Sequence, residues 1–350
     1  MSKLKVAIIG GARPNFMKIF PLVQEFKKNK IFYFLVNTGQ HFDKKMAQDF
    51  FVEFGIHPDY NLRPSHFSVI KQFSDIMIDL EKIFLKEKPN LVIVVGDVNS
   101  TLAGALVANK LGIKLAHVEA GLRSYNKEMP EEYNRILTDH LADFLFVSEE
   151  SGIKNLHREG INKNIFFVGN IMLDTLRYFS SKIKNTKDFF YYCTLHRGEN
   201  VDDKGTFKEI LAALKEIARD SKIYLPLHPR TKKMAEQFGL MSRLKKIFEL
   251  LPPLSYKESL FYEKNAQLIL TDSGGVQEEA TFLGVPCLTL RTETERPVTT
   301  KLGTNTVAGI SKRLILRVYR CKDLKRKEVQ IKFWDGLVCR RIVKIIKKYA

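Results

Sequence analysis

Short runs of consecutive apolar residues alternate along the chain with longer segments in which apolar residues recur every three or four positions. The short runs predict buried strands, and the longer segments predict amphipathic helices. One series of such elements begins at residues 6–10 and 16–27 and continues to 165–168. A second begins at 189–195 and ends at 286–290. This alternation is typical of βαβ units, so each series predicts a doubly wound parallel sheet with helices on both faces.

The two series predict an α/β protein of two Rossmann-like domains. The polar stretch 169–188 separates them, so we expect an N-terminal domain at 1–170 and a C-terminal domain at 171–335. A length of 350 residues fits two domains of ordinary size. If the two domains face each other, the carboxyl ends of both sheets meet at one central cleft, where ligands of such sheets bind.

Positive charge is concentrated near the C-terminus. The chain has 57 Lys plus Arg against 39 Asp plus Glu, and residues 311–350 hold 14 of the cations but only three acids. Such a segment could attract nucleic acid or an anionic membrane. We favour an amphipathic closing helix with a solvated basic face, because apolar and basic residues interleave at 340–349. We expect no nucleic-acid partner, since no recognised binding module accompanies the charge.

Other sequence features argue against membrane insertion, secretion, disulfide bonds and a structural metal. The longest apolar runs are of strand length, which predicts no membrane insertion. Residues 1–5 lead straight into a strand without the pattern of a signal peptide, so we expect a cytoplasmic protein. The cysteines, Cys193, Cys287, Cys321 and Cys339, form no C-x-x-C pair, which argues against disulfides and a structural metal.

Polar residues follow the strands of the first domain. The turn 10–15 lies between a strand and a helix, where backbone amides can bind an anion, but it lacks the G-x-G-x-x-G pattern of dinucleotide sites. Arg13 and Lys18 place two cations at the start of that helix. These two cations could bind phosphate, or they could be solvated residues at an ordinary helix start.

Three acids of the first domain are candidates for proton transfer. Asp97 follows the strand at 91–96, Glu119 lies at the end of the next strand, and Glu131 opens a helix. Asp97 or Ser100 could instead cap a helix. We expect the three acids at one edge of the cleft, where paired acids can remove and return a proton.

The second domain has polar residues at equivalent positions. A lone histidine is usually a structural or surface residue, but His196 and His228 each follow a strand, and two histidines at equivalent strand ends strengthen the case for a functional role. A Ser-Gly-Gly turn at 273–275 opens a helix after another strand and suits a diphosphate. Either Glu278 or Glu279 is placed to accept sugar hydroxyls. Arg296 follows the last strand and is expected near the same pocket.

These motifs together resemble the non-hydrolysing UDP-N-acetylglucosamine 2-epimerases. The likeness runs from residue 6 to about 309 and includes segments 12–18, 38–41, 96–101, 117–135, 196–200, 228–229, 272–279 and 294–296. It implies a two-lobed fold similar to that of the GT-B glycosyltransferases, with UDP bound mainly by the second lobe. It also implies that the C-terminal helix, at 336–350, crosses back to the first lobe. Gly198 and the basic stretch 310–333 depart from the family pattern.

The resemblance implies reversible epimerisation of UDP-GlcNAc to UDP-N-acetylmannosamine (UDP-ManNAc) at C2. In the family, UDP leaves by anti-elimination, a 2-acetamidoglucal intermediate forms, and re-addition inverts C2. Asp97, Glu119 and Glu131 would be the acid and base residues, and His196 would assist catalysis or diphosphate binding. Neither a metal nor a nicotinamide or other cofactor is implied.

The resemblance also implies binding residues and partners. UDP would be held by Arg13, Lys18, Ser273, Gly274, Gln277, Glu279 and Arg296. Some members bind a second UDP-GlcNAc as an activator, through residues matching Gln40, His41 and His228. A homodimer and a role in surface polysaccharide synthesis are further implications.

Three rival functions remain. A hydrolysing epimerase of the same fold would release UDP and free N-acetylmannosamine. A GT-B glycosyltransferase would use the same UDP lobe but would leave the three acids of the first domain unexplained. A non-enzymatic nucleotide-binding or nucleic-acid-binding protein would account for little beyond the basic C-terminal segment.

Overall fold

A computed structural model describes residues 4–40, 51–65 and 67–349 of the chain. The chain divides into two compact units, one formed by Met1–Thr175 with Phe333–Ala350 and the other by Leu176–Lys332. Among the described residues, no helix combines the length and apolar character needed to cross a bilayer.

The first unit is built around a parallel sheet. Its described strands are β1 (Lys5–Gly10), β2 (Phe32–Asn37), β3 (Tyr60–Asn61), β4 (Leu91–Val95), β5 (Lys114–Ala120), β6 (Phe144–Val147) and β7 (Ile165–Phe167). They pair in the order β3-β2-β1-β4-β5-β6-β7. All five residues of β4 are buried, as expected for a central strand covered on both faces.

Helices connect these strands. Those described in the first part of the chain are α1 (Arg13–Lys28), α2 (Val69–Glu87), α3 (Asn99–Lys110), α4 (Pro130–Leu141), α5 (Glu150–Arg158) and α6 (Met172–Ser180). The start of α2 is fixed by Ser68, whose hydroxyl accepts a hydrogen bond from the Lys71 amide at 3.1 Å. Pro130 occupies the first turn of α4, where its missing N–H costs no hydrogen bond.

The second unit repeats the architecture. Its strands are β8 (Tyr191–Thr194), β9 (Ile223–Pro226), β10 (Glu249–Leu251), β11 (Leu268–Thr271), β12 (Cys287–Thr289) and β13 (Asn305–Val307). Its helices are α7 (Gly198–Val201), α8 (Lys204–Ile217), α9 (Pro229–Gln237), α10 (Met241–Ile247), α11 (Tyr256–Asn265), α12 (Gly274–Phe282), α13 (Pro297–Lys301) and α14 (Lys312–Cys321). The strand order β10-β9-β8-β11-β12-β13 matches that of the first sheet from its β3 end. Both orders reverse next to the first strand of the unit, as in doubly wound folds.

The last helix, α15 (Val338–Tyr349), belongs to the first unit and packs against α1. The Asp174 carboxylate accepts hydrogen bonds from the amides of Val338 at 2.9 Å and Cys339 at 2.8 Å, which fixes where α15 begins. Ile342, Val343 and Ile346 are buried on its apolar face. The predicted fold class, two doubly wound α/β domains with a C-terminal helix returning to the first, is confirmed.

Candidate functional site

The candidate residues lie near the carboxyl ends of the strands, around the point where the strand order of each sheet reverses. In the first unit this point is between the carboxyl ends of β1 and β4, and in the second it is between those of β8 and β11. Chains leave the sheet in opposite directions there, so a crevice opens in which such folds bind ligands.

One side chain joins the two strand ends of the first unit. Asn15 Oδ1 accepts from the Gly11 amide at 3.2 Å and the Ala12 amide at 3.0 Å, and its Nδ2 donates to the Val95 carbonyl at 3.0 Å. The turn after β1 is therefore fixed against the end of β4. Arg13, exposed at the first position of α1, starts directly from this turn.

Lys18 and Glu119 form an ion pair at this point. A Cβ placed on Gly96 would lie 3.5 Å from Lys18 Nζ and 3.6 Å from Glu119 Oε2, so the pair sits beside the end of β4. Glu119 has a φ of +72°, in the left-handed region, and the pairing of β5 with β6 shifts register there. Such a conformation costs about 1–3 kcal/mol in a non-glycine residue and is typical of functional positions.

Asp97 is held by α4. Its carboxylate forms an ion pair with Arg135, and its backbone carbonyl accepts from Asn134 Nδ2 at 2.9 Å. The alternative that Asp97 or Ser100 caps the next helix is wrong, because Val98 is the N-cap residue of α3 and no side chain bonds there.

Glu131 occupies the first turn of the same helix and is half-buried. Residues three and four positions apart share a face of a helix, so Glu131 lies on the face that carries Asn134 and Arg135. That is the face through which α4 contacts Asp97. Asp97, Glu119 and Glu131 thus lie on elements that meet around the ends of β4 and β5.

A buried charge network lies beneath these acids. His117 Nδ1 contacts Asp139 Oδ1 at 2.6 Å, and its Nε2 contacts the Gly96 carbonyl at 2.8 Å. Because burial is outweighed by the charges of His117 and Arg123, the pKa of Asp139 is lowered. Both ring nitrogens of His117 therefore lie within hydrogen-bond distance of oxygen atoms, and the side chain links the Gly96 turn to α4.

The second carboxylate oxygen of Asp139 also has partners. Its Oδ2 accepts from the Gly121 amide at 3.0 Å and pairs with Arg123 at 2.8 Å, and Arg123 pairs in turn with Glu159 at 2.6 Å. The network therefore fixes the chain on both sides of Glu119, through the His117 side chain on one side and the Gly121 amide on the other.

Gln40 lies near the same strand ends. Its Oε1 accepts from the Ser100 amide at 2.9 Å and the Ser100 hydroxyl at 2.7 Å, and that hydroxyl also contacts Thr38 Oγ1 at 2.6 Å. His41, its partner in the predicted activator motif, lies outside the described residues.

In the second unit, buried Asp272 organises the turn after β8. It accepts from the amides of His196 and Arg197, each at 2.9 Å, and from Asn200 Nδ2 at 3.2 Å. The His196 ring lies 3.5 Å from the same carboxylate through Nδ1.

The rings of His196 and His228 are adjacent, with centroids 5.1 Å apart. His228 Nδ1 accepts from the Arg230 amide at 3.2 Å at the start of α9. Burial, and then the neighbouring His196, lower the pKa of His228, which favours its neutral form. The structure thus brings together the two histidines predicted at equivalent strand ends.

The turn after β11 leaves space at a helix end. Ser273 is the N-cap residue of α12, without a side-chain cap, and its amide donates to Thr271 Oγ1 at 2.9 Å. A Cβ placed on Gly274 would meet no described atom within 4 Å. Amides at such a helix start can bind phosphate oxygens.

Gln277 and Arg296 lie on elements beside this turn. Gln277 is fully buried, and its Oε1 accepts from Thr294 Oγ1 at 2.6 Å and Asn305 Nδ2 at 3.1 Å. Its Nε2 has no hydrogen-bond partner in the described part of the chain. Arg296 Nε lies 3.3 Å from Glu278 Oε2.

Glu279 lies against a second acid, Glu263 of α11. Ser259 Oγ donates to Glu263 Oε1 at 2.9 Å. Burial raises the pKa of both carboxyl groups, and the charge of Glu263 further raises that of Glu279. The pair therefore holds a proton at a pH where exposed glutamates have lost theirs.

This pair predicts a pH effect on stability. Acids whose pKa is raised on folding contribute full stability below the ordinary glutamate pKa, and that contribution is lost as pH rises through the folded pKa. Glu263→Gln keeps an oxygen for Ser259 and removes one of the two groups that ionise, so we expect a flatter decline in unfolding free energy above about pH 4.3. Urea unfolding from pH 4 to 8 measures this, with exposed Glu236→Gln as control. A decline as steep as in the wild type would contradict the raised pKa of this pair.

Some side chains of the site were not among the sequence-based candidates. The sequence spacing predicts the helix face on which Asn134, Arg135 and Asp139 each lie. It does not predict which residues that face contacts. Asp272 directly follows a strand, as Asp97 does, and that position is the signal that could have identified it. Among the described residues, no group of three or more His, Cys, Asp or Glu side chains could hold a metal ion.

Comparison with known proteins places this geometry in a family. A family model described as UDP-N-acetylglucosamine 2-epimerase matches residues 24–347. The chain belongs to the UDP-N-acetylglucosamine 2-epimerase family. The family predicted from the motifs is therefore confirmed.

Similar members of the epimerase family include proteins from archaea and bacteria. A UDP-N-acetylglucosamine 2-epimerase of Methanocaldococcus jannaschii is 43% identical over 98% of this chain and 99% of its own length. A solved structure of that organism's UDP-GlcNAc 2-epimerase, in complex with UDP-GlcNAc and UDP, has a TM-score of 0.78 and 42% identity, covering 99% of this chain and 100% of that one. A UDP-2,3-diacetamido-2,3-dideoxy-D-glucuronate 2-epimerase of Pseudomonas aeruginosa is 40% identical over 91% of this chain and 92% of its own length.

Proposed function

We propose that this chain interconverts UDP-GlcNAc and UDP-ManNAc by inverting C2 of the sugar, without releasing free sugar. The observation that carries the proposal is the cluster of Lys18, Glu119 and Asp97 at the strand reversal of the first unit. It supplies two acids and a cation at the place where doubly wound folds bind ligands.

The proposed route is elimination and re-addition, because the C2 proton of the sugar is only weakly acidic. A base removes that proton, the C2–H electron pair forms a C1=C2 double bond, and UDP leaves with the electron pair of its C1–O bond. UDP then adds back to C1 of the 2-acetamidoglucal while an acid returns a proton to the other face of C2. Acid and base groups on both faces of the ring are required.

Asp97, Glu119 and Glu131 are the proposed acid and base residues. Asp97 and Glu119 are each in an ion pair, with Arg135 and Lys18, so protein cations balance their charge when the proton has gone. The His117 side chain, which contacts the Gly96 carbonyl, and the Gly121 amide, which donates to Asp139, hold the segment around Glu119 and limit its movement during the reaction.

The proposed UDP ligands have distinct roles. The α12 start at Ser273 and Gly274, with Arg13, Lys18 and Arg296, would bind phosphate, and Gln277 has an N–H available. Glu279 would accept from the ribose hydroxyls. His196, fixed by Asp272, would assist departure of the diphosphate.

Further parts of the proposal follow the family resemblance. They are an activator site formed with Gln40, His41 and His228, a homodimer, and supply of a precursor for surface polysaccharide in the cytoplasm.

Proton NMR of the purified protein with UDP-GlcNAc in deuterated water tests the reaction. We expect UDP-ManNAc to appear and deuterium to enter C2 of both sugar nucleotides, because the removed proton exchanges with solvent. Free N-acetylmannosamine with an equal amount of UDP would indicate the hydrolysing reaction instead. An unchanged spectrum would overturn the proposal and direct attention to the glycosyltransferase alternative.

The Pseudomonas aeruginosa relative supports a second candidate substrate. It is named for a diacetamido-glucuronate sugar nucleotide and is nearly as similar to this chain as the relative named for UDP-GlcNAc. The same assay with UDP-2,3-diacetamido-2,3-dideoxy-D-glucuronate, compared by kcat/KM, decides between them. We expect UDP-GlcNAc to react at least about tenfold better, a discrimination of roughly 1.4 kcal/mol.

A further inference from the structure

A cavity of about 610 Å³ lies in the second unit, beside the edge strand β13. Its wall includes Pro286, Gly303 and Thr304, which precede β12 and β13, whereas Ser273 and Arg291 follow β11 and β12. All these strands are parallel, so the cavity opens toward their amino ends. It is therefore separate from the predicted UDP ligands, which lie at the carboxyl ends.

The lining of this basic cavity is strongly positive. The lining includes one carboxylate, that of Asp323, and four cations, Arg317, Lys322, Lys325 and Lys327. Among the described residues, the only ion pair of these cations joins Lys327 to Asp323, at 3.6 Å. The other three cations therefore have no carboxylate within ion-pair distance in the described part of the chain.

Lys322 is the cation at the base of the cavity wall. Its Nζ donates to the Thr304 carbonyl at 2.7 Å and to Thr306 Oγ1 at 2.8 Å, which uses two of its three N–H groups. Burial lowers the pKa of Lys322, as expected for an ammonium group without an adjacent anion.

A second polar group in the wall has no partner. Thr304 is 4% exposed, and its Oγ1 has no hydrogen-bond partner among the described residues. A buried hydroxyl without a partner costs about 1–3 kcal/mol, so a ligand that accepts from it would be favoured.

The backbone that carries the cations is fixed. The Lys327 amide donates to the Gly284 carbonyl at 3.0 Å, and Arg326 donates to the Ala266 carbonyl at 3.1 Å. Gly284 has a φ of +70°, and a Cβ there would lie 2.4 Å from the Lys327 carbonyl oxygen. The backbone beside Lys325 and Lys327 is therefore positioned before any ligand arrives, which reduces the backbone part of the entropy cost of binding.

We propose that the basic cavity binds a small anion with two or more phosphate groups, held by Arg317, Lys322, Lys325 and the Thr304 hydroxyl. Guanidinium and ammonium groups are the usual partners of phosphate. The volume falls in the range of small-molecule sites, and the concave shape favours a small ligand over a nucleic-acid strand or a membrane. The proposal thus gives the basic stretch 310–333, which departs from the family pattern, a role in anion binding.

Binding can be measured through the reactivity of Cys321, which lines the cavity and is exposed. The other cysteines, Cys193, Cys287 and Cys339, are buried. Alkylation of Cys321 by iodoacetamide would be followed by mass spectrometry against inorganic pyrophosphate, at fixed ionic strength and with UDP saturating. We expect saturable protection of Cys321. The titration is then repeated with ATP. Stronger protection of Cys321 by ATP than by pyrophosphate would indicate a nucleotide ligand, and the reverse would indicate a free phosphate compound.

Three variants make the test specific. Arg317→Ser with Lys325→Ser should raise the half-protecting pyrophosphate concentration by at least about tenfold, since two charge-assisted bonds are lost. Arg313→Ser with Lys208→Ser removes the same charge from exposed residues outside the cavity and should leave that concentration unchanged. Thr304→Val should weaken protection without lowering the thermal stability of the unliganded protein.

Three results would overturn the proposal. They are absence of protection at millimolar pyrophosphate and ATP, equal weakening by the two double variants, and protection by a DNA oligonucleotide alone. The last would assign the surface to nucleic acid. None of these results depends on the epimerisation assay, so this inference and the proposed function can fail independently.

Discussion

Replacing Glu119 by glutamine should lower kcat for epimerisation by about 10²–10⁴-fold, the usual contribution of an acid or base residue. Glutamine keeps an oxygen for Lys18 but cannot accept the C2 proton. Because Glu119 reaches its position through a left-handed backbone and a register shift, no neighbouring acid can take its place without moving β5. Turnover and the entry of deuterium at C2 should fall together, while binding of UDP stays near the wild-type value.

The control for this variant is Glu128→Gln. Glu128 is an exposed acid in the loop before α4, and its loss should leave kcat unchanged. A Glu119→Gln protein that is folded and exchanges C2 deuterium at the wild-type rate would remove Glu119 from the proposed mechanism.

Replacing Asp139 by asparagine should lower the free energy of unfolding by about 3–5 kcal/mol, the cost of breaking a buried ion pair by removing one partner. Arg123 would keep its charge in a buried setting without the carboxylate that it pairs with, and His117 would lose its hydrogen-bond partner at Nδ1. Urea unfolding measures the loss. Asp79→Asn, which removes an exposed ion pair with Lys82 at 3.2 Å, should cost no more than about 1 kcal/mol.

The same substitution has a pH signature. The pKa of Asp139 is lowered in the folded chain, so its contribution to stability is present above the ordinary aspartate pKa and lost as pH falls through the folded pKa. The gap between wild type and Asp139→Asn should therefore narrow below about pH 4. A gap that stays constant between pH 7 and pH 3 would show that the loss comes from packing rather than from charge.

Alternation of strands and helices was enough to predict the fold, because continuous apolar runs such as β4 are buried on both faces and leave few other structures possible. The same pattern located polar residues at strand ends, since function in doubly wound folds concentrates there. The positions of Asp97, Glu119, His196 and Ser273 at strand ends were predicted in this way, and their roles stay predictions.

Pairings between distant residues could not be predicted. Nothing local indicates that Glu263 and Glu279 meet, because each lies on a helix whose facing partner is set by tertiary packing. The pairs Lys18 with Glu119 and Asp97 with Arg135 depend on strand order and on one register shift. The basic cavity depends on where the chain runs after α14, and composition alone indicated only its charge.

The position of α15 sets the order in which the chain can complete its folding during synthesis. The second unit is continuous in sequence, whereas the first needs residues 333–350 to finish. Until residues 333–350 have left the ribosome, α1 lacks the helix that packs against it, and Asp174 lacks the two amides that it binds. The unit that is translated first is therefore completed last, and its uncovered apolar surface is exposed to chaperones for the whole time that the second unit is made.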